Sequence, residues 1–119
     1  MINVAIVGYG NLGKGVECAI KQNPDMCLYG IFSRRDPESM QTLTGAPVYK
    51  IDDILNHKGK IDILILCGGS ATDLPVQTPQ LAKDFNVIDS FDNHGRIPSH
   101  FEKVDAAAKE GNNIAIISG

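Results

Sequence analysis

Gly8, Gly10 and Gly13 stand in a G-x-G-x-x-G spacing directly after the apolar run Val4-Ala5-Ile6-Val7. Glycines at that spacing suit a phosphate. Gly8 can take a sharp turn, Gly10 lets the backbone approach a pyrophosphate with no Cβ in the way, and Gly13 lets the following helix pack close to the strand. The free N–H groups that open that helix, at the positive end of its dipole, then face the phosphates. A glycine-rich turn between two core elements reads the same in isolation, so the flanks decide. One flank is Ser33-Arg34-Arg35, at the end of a second apolar run. A carboxylate there accepts hydrogen bonds from a ribose 2′-hydroxyl, whereas cations and a small hydroxyl suit a 2′-phosphate. Two adjacent arginines alone are ordinary solvated charge. After this glycine motif they predict NADP over NAD as the cofactor.

Two further clusters carry chemistry. Gly68-Gly69-Ser70 follows the apolar run Ile61 to Cys67 and is expected to touch the nicotinamide ribose, though a strand that ends in glycines also simply turns. Asp62 is expected to be solvated near the start of that strand, and Asp73 to be a turn or capping residue. Asp89-Ser90-Phe91-Asp92-Asn93-His94 gathers two carboxylates, an amide and an imidazole after another apolar run. A carboxylate there suits a substrate ammonium or a proton transfer; the competing reading is a polar loop whose side chains close turns. His94 and His100 have no third ligand at a metal-binding spacing, so no metal is predicted.

These clusters need strands and helices to bring them together. Ile2 to Val7 is a continuous β-branched run, the pattern of a strand covered on both faces. Leu12, Val16, Ala19 and Ile20 recur at helical spacing and predict the buried face of a first helix, ended by Asn23-Pro24-Asp25. Cys27 to Phe32 predicts a second strand, Asp36 to Ala46 a surface loop, Val48-Tyr49 a short edge strand, and Ile51 to His57 at most two helical turns. Ile61 to Cys67 predicts the next strand. A helix is expected from about Thr78, with Thr78 as N-cap and Pro79 in the first turn. Asn86 to Ser90 predicts a strand. Pro98 opens a helix with Phe101, Val104 and Ala108 on its apolar side and Gly111 at its end, and Asn113 to Ser118 is a last strand. Strands alternating with helices predict an α/β, doubly wound parallel sheet, and the G-x-G-x-x-G in the first crossover makes it the dinucleotide-binding (Rossmann) type, order 3-2-1-4-5-6, spanning residues 1–119 as a single domain. The loops after strands one, two, four and five then share one crevice.

Composition narrows the function classes. The 119 residues are 43% hydrophobic and 21% charged, ordinary for a globular protein, with a net charge of −3 and a pI near 5.5. That charge gives no general attraction to nucleic acid or acidic membranes. No apolar run reaches the ~20 residues of a membrane span, and Met1 leads straight into a strand without a signal peptide, so a cytoplasmic protein is expected. Cys18, Cys27 and Cys67 are widely spaced and odd in number, and are expected to be small buried apolar residues rather than disulfide or zinc ligands.

Val7-Gly8-Tyr9-Gly10-Asn11-Leu12-Gly13, Gly30-Ile31-Phe32-Ser33-Arg34-Arg35, Cys67-Gly68-Gly69-Ser70-Ala71-Thr72-Asp73 and Asp92-Asn93-His94 with Ile97-Pro98 together closely resemble the amino-terminal half of the meso-diaminopimelate dehydrogenases. The resemblance covers essentially the whole chain. It implies the reversible NADP-dependent oxidative deamination of the D-centre of meso-diaminopimelate to L-2-amino-6-oxopimelate and ammonia, in lysine and cell-wall precursor synthesis, by a homodimer. It implies that Tyr9, Gly10, Asn11 and Leu12 cradle the pyrophosphate, that Ser33, Arg34 and Arg35 hold the 2′-phosphate, and that Cys67, Gly68, Gly69, Ser70, Ala71, Thr72 and Asp73 border the nicotinamide end. Asp92 is implied to face the amine of the reacting carbon as the catalytic carboxylate, with Phe91 and Asn93 as substrate contacts. Asp89, closer to its strand, is the rival for that role.

The family pattern continues with a Trp-Asp-Pro-Gly motif and a long substrate and dimerisation domain, and this sequence stops at Gly119 before it. Cofactor binding is expected to survive without that domain and turnover is not. Two alternatives stand beside this reading: a non-catalytic dinucleotide-sensing module, favoured by length, and another amino-acid or aldehyde dehydrogenase with the same amino-terminal fold. Arg34-Arg35 and the Asp92-Asn93-His94 loop favour the enzyme.

Overall fold

Strands and helices alternate along the chain in the computed structural model, which describes residues 1–68, 73–91 and 94–117. The order is β1 (Ile2–Val7), α1 (Asn11–Gln22), β2 (Met26–Ser33), a 3-10 turn (Pro37–Ser39), β3 (Val48–Lys50), a 3-10 helix (Ile51–His57), β4 (Ile63–Leu66), α2 (Leu74–Ala82), β5 (Val87–Asp89), a 3-10 turn (His94–Arg96), α3 (Ile97–Gly111) and β6 (Ala115–Ile117). All pairings are parallel and the sheet order is β3-β2-β1-β4-β5-β6, the one expected from the glycine motif in the first crossover. The order reverses between β1 and β4, where α/β sheets open a crevice at the carboxyl ends of their strands.

The sheet feeds two cores. Ala5, Val7, Phe32, Leu64, Leu66 and Val87 point to one face, where Leu74, Leu81 and Ala82 of α2 and Val104, Ala107 and Ala108 of α3 close over them. Val4, Ile6 and Ile31 point to the other, under Ile20 of α1 and the ring of Tyr9.

Several element details differ from the sequence expectation. On α1 the buried positions are Gly13, Glu17 and Ile20, while Leu12 is exposed and Ala19 faces solvent. A Cβ at Gly13 would lie 2.5 Å from the Gly8 carbonyl oxygen, so the packing of Gly13 on the glycine turn sets the rotation of the helix. Helix α2 starts at Leu74, with Asp73 at the N-cap and Pro75 in the first turn; Thr78 is buried mid-helix and Pro79 lies inside it. Helix α3 buries His100, Val104, Ala107 and Ala108 and leaves Phe101 exposed. It closes on Asn112, at φ 57°, rather than on Gly111. Gly111 serves a close approach instead, because a Cβ there would meet the Lys83 carbonyl oxygen at 1.9 Å. Of the cysteines, Cys27 is exposed, and Cys18 and Cys67 are only partly buried. Among the described residues no helix is long and apolar enough to cross a membrane.

Candidate functional site

Backbone hydrogen bonds draw three strand ends together. The Gly8 N–H donates to the Phe32 carbonyl at 2.9 Å and the Cys67 N–H to the Val7 carbonyl at 2.8 Å. Gly8 turns at φ +94°, a conformation glycine adopts freely. Gly10 is the N-cap of α1 and has no atom within 4 Å of an added Cβ, so it faces open space where Gly13 faces backbone. The resulting cleft, of about 330 Å³, is lined by the glycine turn after β1, by Ser33, Arg34 and Arg35 after β2, and by Cys67, Gly68 and Asp73 after β4. Three of the four loops expected to share one crevice thus do so. Gly69, Ser70, Ala71, Thr72, Asp92 and Asn93 lie outside the described residues.

The end of β2 brings a serine and two guanidiniums to the cleft. Ser33 is buried, and its Oγ accepts from the Arg35 N–H at 3.1 Å, which curls the backbone at the strand end. The Arg35 guanidinium donates to the Tyr9 carbonyl at 2.7 Å and so stands beside the glycine turn. Arg34 reaches across the cleft mouth to Asp73, with Nη2 to Oδ1 at 2.8 Å. Asp73 occupies the N-cap of α2 without a side-chain capping bond. This exposed ion pair contributes little to stability, so the arginine is cheaply released to another anion. No carboxylate stands at the end of β2, where a ribose 2′-hydroxyl would require one. Burial pushes the Cys67 thiol up to about 11, so it lines the cleft as a neutral group.

At the end of β5 the described side chains contact one another. Asp89 is fully buried; His100 Nε2 lies 2.6 Å from its Oδ2, and the Phe91 N–H donates to its Oδ1 at 3.2 Å. Phe91, read as a substrate contact, is 1% exposed and stacks on the His100 ring at 4.1 Å. Among the described residues no group of three His, Cys, Asp or Glu is placed to hold a metal. Asp62 is exposed as expected and accepts the Asn3 N–H at 2.7 Å.

Dehydrogenases are among the known proteins similar to this chain. A meso-diaminopimelate D-dehydrogenase of Ureibacillus thermosphaericus is 56% identical over 117 residues, 98% of this chain and 36% of that enzyme. A solved structure of an engineered D-amino acid dehydrogenase bound to NADP+ superposes with a TM-score of 0.92 at 46% identity, covering 99% of this chain and 36% of that one. The chain matches the amino-terminal domain of the meso-diaminopimelate dehydrogenases. A multiply substituted member from Clostridium tetani, solved with DAP, gives a TM-score of 0.90 at 52% identity over 100% of this chain and 36% of that one. The chain therefore spans about a third of the length of the meso-diaminopimelate dehydrogenases it matches. No protein-family model matches it.

Three residues escape a reading of the sequence. Glu17 is fully buried on α1. Its signal is a helical wheel that places it with Gly13 and Ile20, one step away from the Leu12 and Ala19 pattern. Gln77, on α2, lines the cleft with a buried Oε1 that has no hydrogen-bond partner among the described residues, and no local pattern marks it. His100 was excluded as a metal ligand, but its pairing with Asp89 joins two elements and is invisible to spacing.

Proposed function

We infer that the chain binds NADP(H) across the carboxyl ends of β1, β2 and β4, as the dinucleotide-binding part of an enzyme that oxidatively deaminates the D-centre of meso-diaminopimelate. The observation that carries this is the end of β2: a buried serine and two arginines line the same cleft as an open Gly10, and the position at the strand end that reads a 2′-hydroxyl holds no carboxylate. The cradle fits the cofactor. A Cβ at Gly10 would intrude on its space, and the helix N-terminus presents free N–H groups to a pyrophosphate. The Gln77 Oε1, without a hydrogen-bond partner among the described residues, offers an acceptor inside it. Bound there, the nicotinamide supplies hydride transfer with the amine-bearing carbon. The chain's own residues orient the dinucleotide and exclude one cofactor in favour of the other. Asp92 is the carboxylate that the resemblance assigns to holding the substrate amine and exchanging its proton, flanked by Phe91 and Asn93. Activity in lysine biosynthesis, assembly as a homodimer and a cytoplasmic location complete the proposal. It is supported by a relative solved with DAP and by one solved with NADP+.

Calorimetric titration with both cofactors tests it. NADP+ should bind more tightly than NAD+, and Arg34→Ala with Arg35→Ala should remove most of the difference, each exposed charge-assisted bond contributing about 1.5 kcal/mol. In the whole enzyme, Asp92→Asn should leave cofactor affinity intact and lower kcat/KM by about 10²-fold. Equal affinities for the two cofactors, or full activity in Asp92→Asn, would overturn the corresponding part.

A further inference from the structure

Glu17 is a carboxylate without solvent access, and such a group is tolerated only when hydrogen bonds replace its water. Its Oε1 accepts from the Tyr9 hydroxyl at 2.5 Å; its Oε2 accepts the Thr44 N–H at 2.9 Å and the Thr44 hydroxyl. The Tyr9 hydroxyl in turn accepts the Leu43 N–H at 3.0 Å. Burial by itself would push this carboxyl up, but donation from Thr44 and Tyr9 outweighs it and holds the carboxyl below its ordinary value of 4.5. Glu17 thus stays ionised, and every group around it is a donor. A glutamine would turn an amide NH₂ toward one of those donors.

The partners of Glu17 lead to both sides of the arginine pair. Leu43 and Thr44 belong to the segment that begins directly after Arg35 and carries only a short 3-10 turn of its own. Tyr9 is held by its ring on one side, while its backbone carbonyl accepts the Arg35 guanidinium at 2.7 Å on the other. Lys14 lies over the same ring, 5.8 Å from its centre. Lys14 and Arg35 also share a small depression with Ser39 and Gln41 beside the main cleft. We propose that Glu17 is a positioning residue for the 2′-phosphate site: through Tyr9 and Thr44 it fixes both the carbonyl that holds Arg35 and the segment that follows it, so the cation stands in place before the ligand arrives. This rests on the NADP reading above. The gain is preorganisation, which is felt by the phosphate that Arg35 contacts and not by a ribose hydroxyl.

The test is the Kd for NADP+ and for NAD+ in the intact protein, measured by calorimetry for wild type, Glu17→Gln, Thr44→Val, Arg35→Ala and the Glu17→Gln, Arg35→Ala double variant, with a thermal transition recorded for each. Glu17→Gln should weaken NADP+ by about tenfold and NAD+ by no more than about twofold. Thr44→Val, which removes the hydroxyl and keeps the N–H, should move the same ratio in the same direction by less. In the double variant the losses should fall short of the product of the single ones, because both act through Arg35. Loss of both cofactors in equal measure, or an unchanged NADP+ to NAD+ ratio in Glu17→Gln, would overturn the role and leave Glu17 a packing residue. If Glu17→Gln fails to fold, the ratio in Thr44→Val decides. A wild type without preference for NADP+ would sink the cofactor reading and this inference together. A wild type whose preference is lost in Arg35→Ala but kept in Glu17→Gln and Thr44→Val would sink this inference alone.

Discussion

Gly10 and Gly13 lie three residues apart and are glycine for opposite reasons. An added Cβ at Gly10 meets nothing within 4 Å, whereas at Gly13 it would sit 2.5 Å from the Gly8 carbonyl oxygen, which belongs to backbone and has no rotamer to yield. Gly10→Val should therefore keep a cooperative transition close to that of wild type and lose NADP+ binding. Gly13→Val should lower stability by more than about 2 kcal/mol, the scale of a strained core. Thermal denaturation of both variants with calorimetry of the first checks this. A Gly10→Val protein that still bound NADP+ normally would reduce the glycines to a turn. This much was legible in the sequence because the motif is local, its three residues and their helix lying in one short stretch. Glu17 was not legible. Its hydrogen-bond partners Tyr9 and Thr44 are 8 and 27 positions away, and only the folded chain brings them to it.

Strand β5 and helix α3 are joined by the Asp89–His100 contact, 2.6 Å long, with side chains 0% and 3% exposed, and by the Phe91 ring stacked on the imidazole. Breaking a buried pair by removing one partner leaves the other desolvated and uncompensated. Asp89→Ala should cost roughly 3 kcal/mol of stability, seen as a fall in Tm of about 10 °C or more. An unchanged Tm with abolished turnover in the whole enzyme would instead make Asp89 the group that meets substrate. The elements themselves were readable from periodicity, but their ends and faces were not. The Thr78-Pro79 pair predicts too late a start for α2: the completely buried Leu74 belongs to its first turn, together with Pro75. Its missing N–H costs nothing there, while Pro79 omits one interior bond. On α3, spacing alone could not separate Phe101 from His100, since both lie near the apolar stripe. The buried carboxylate of Asp89 is what draws the imidazole inward.

Across the whole molecule, alternation implies a parallel sheet with right-handed crossovers, and the glycine motif in the first crossover selects the dinucleotide-binding strand order. What alternation does not reveal is how unevenly the sheet is covered. Ile31, Ile6, Ile65, Ile88 and Ile116 pair in register as one row across five strands. The first two are fully buried under α1, Ile65 and Ile88 are partly exposed, and Ile116 is 51% exposed. The site sits at the covered end of that row, where three strand ends are held by backbone bonds to one another, so a dinucleotide that bridges them ties β1, β2 and β4 together. A ligand that binds only the folded chain stabilises it by mass action, by about 2.7 kcal/mol at a hundred times its Kd. For a chain of 119 residues that corresponds to a rise in Tm of roughly 8–14 °C with NADP+. If NAD+ binds about tenfold more weakly, the same concentration should give about half that rise. Thermal scans of the 119-residue chain at matched cofactor concentrations make the comparison. Equal shifts would mean that the arginines after β2 read no phosphate, and no shift with either cofactor would mean that the glycine turn holds no dinucleotide.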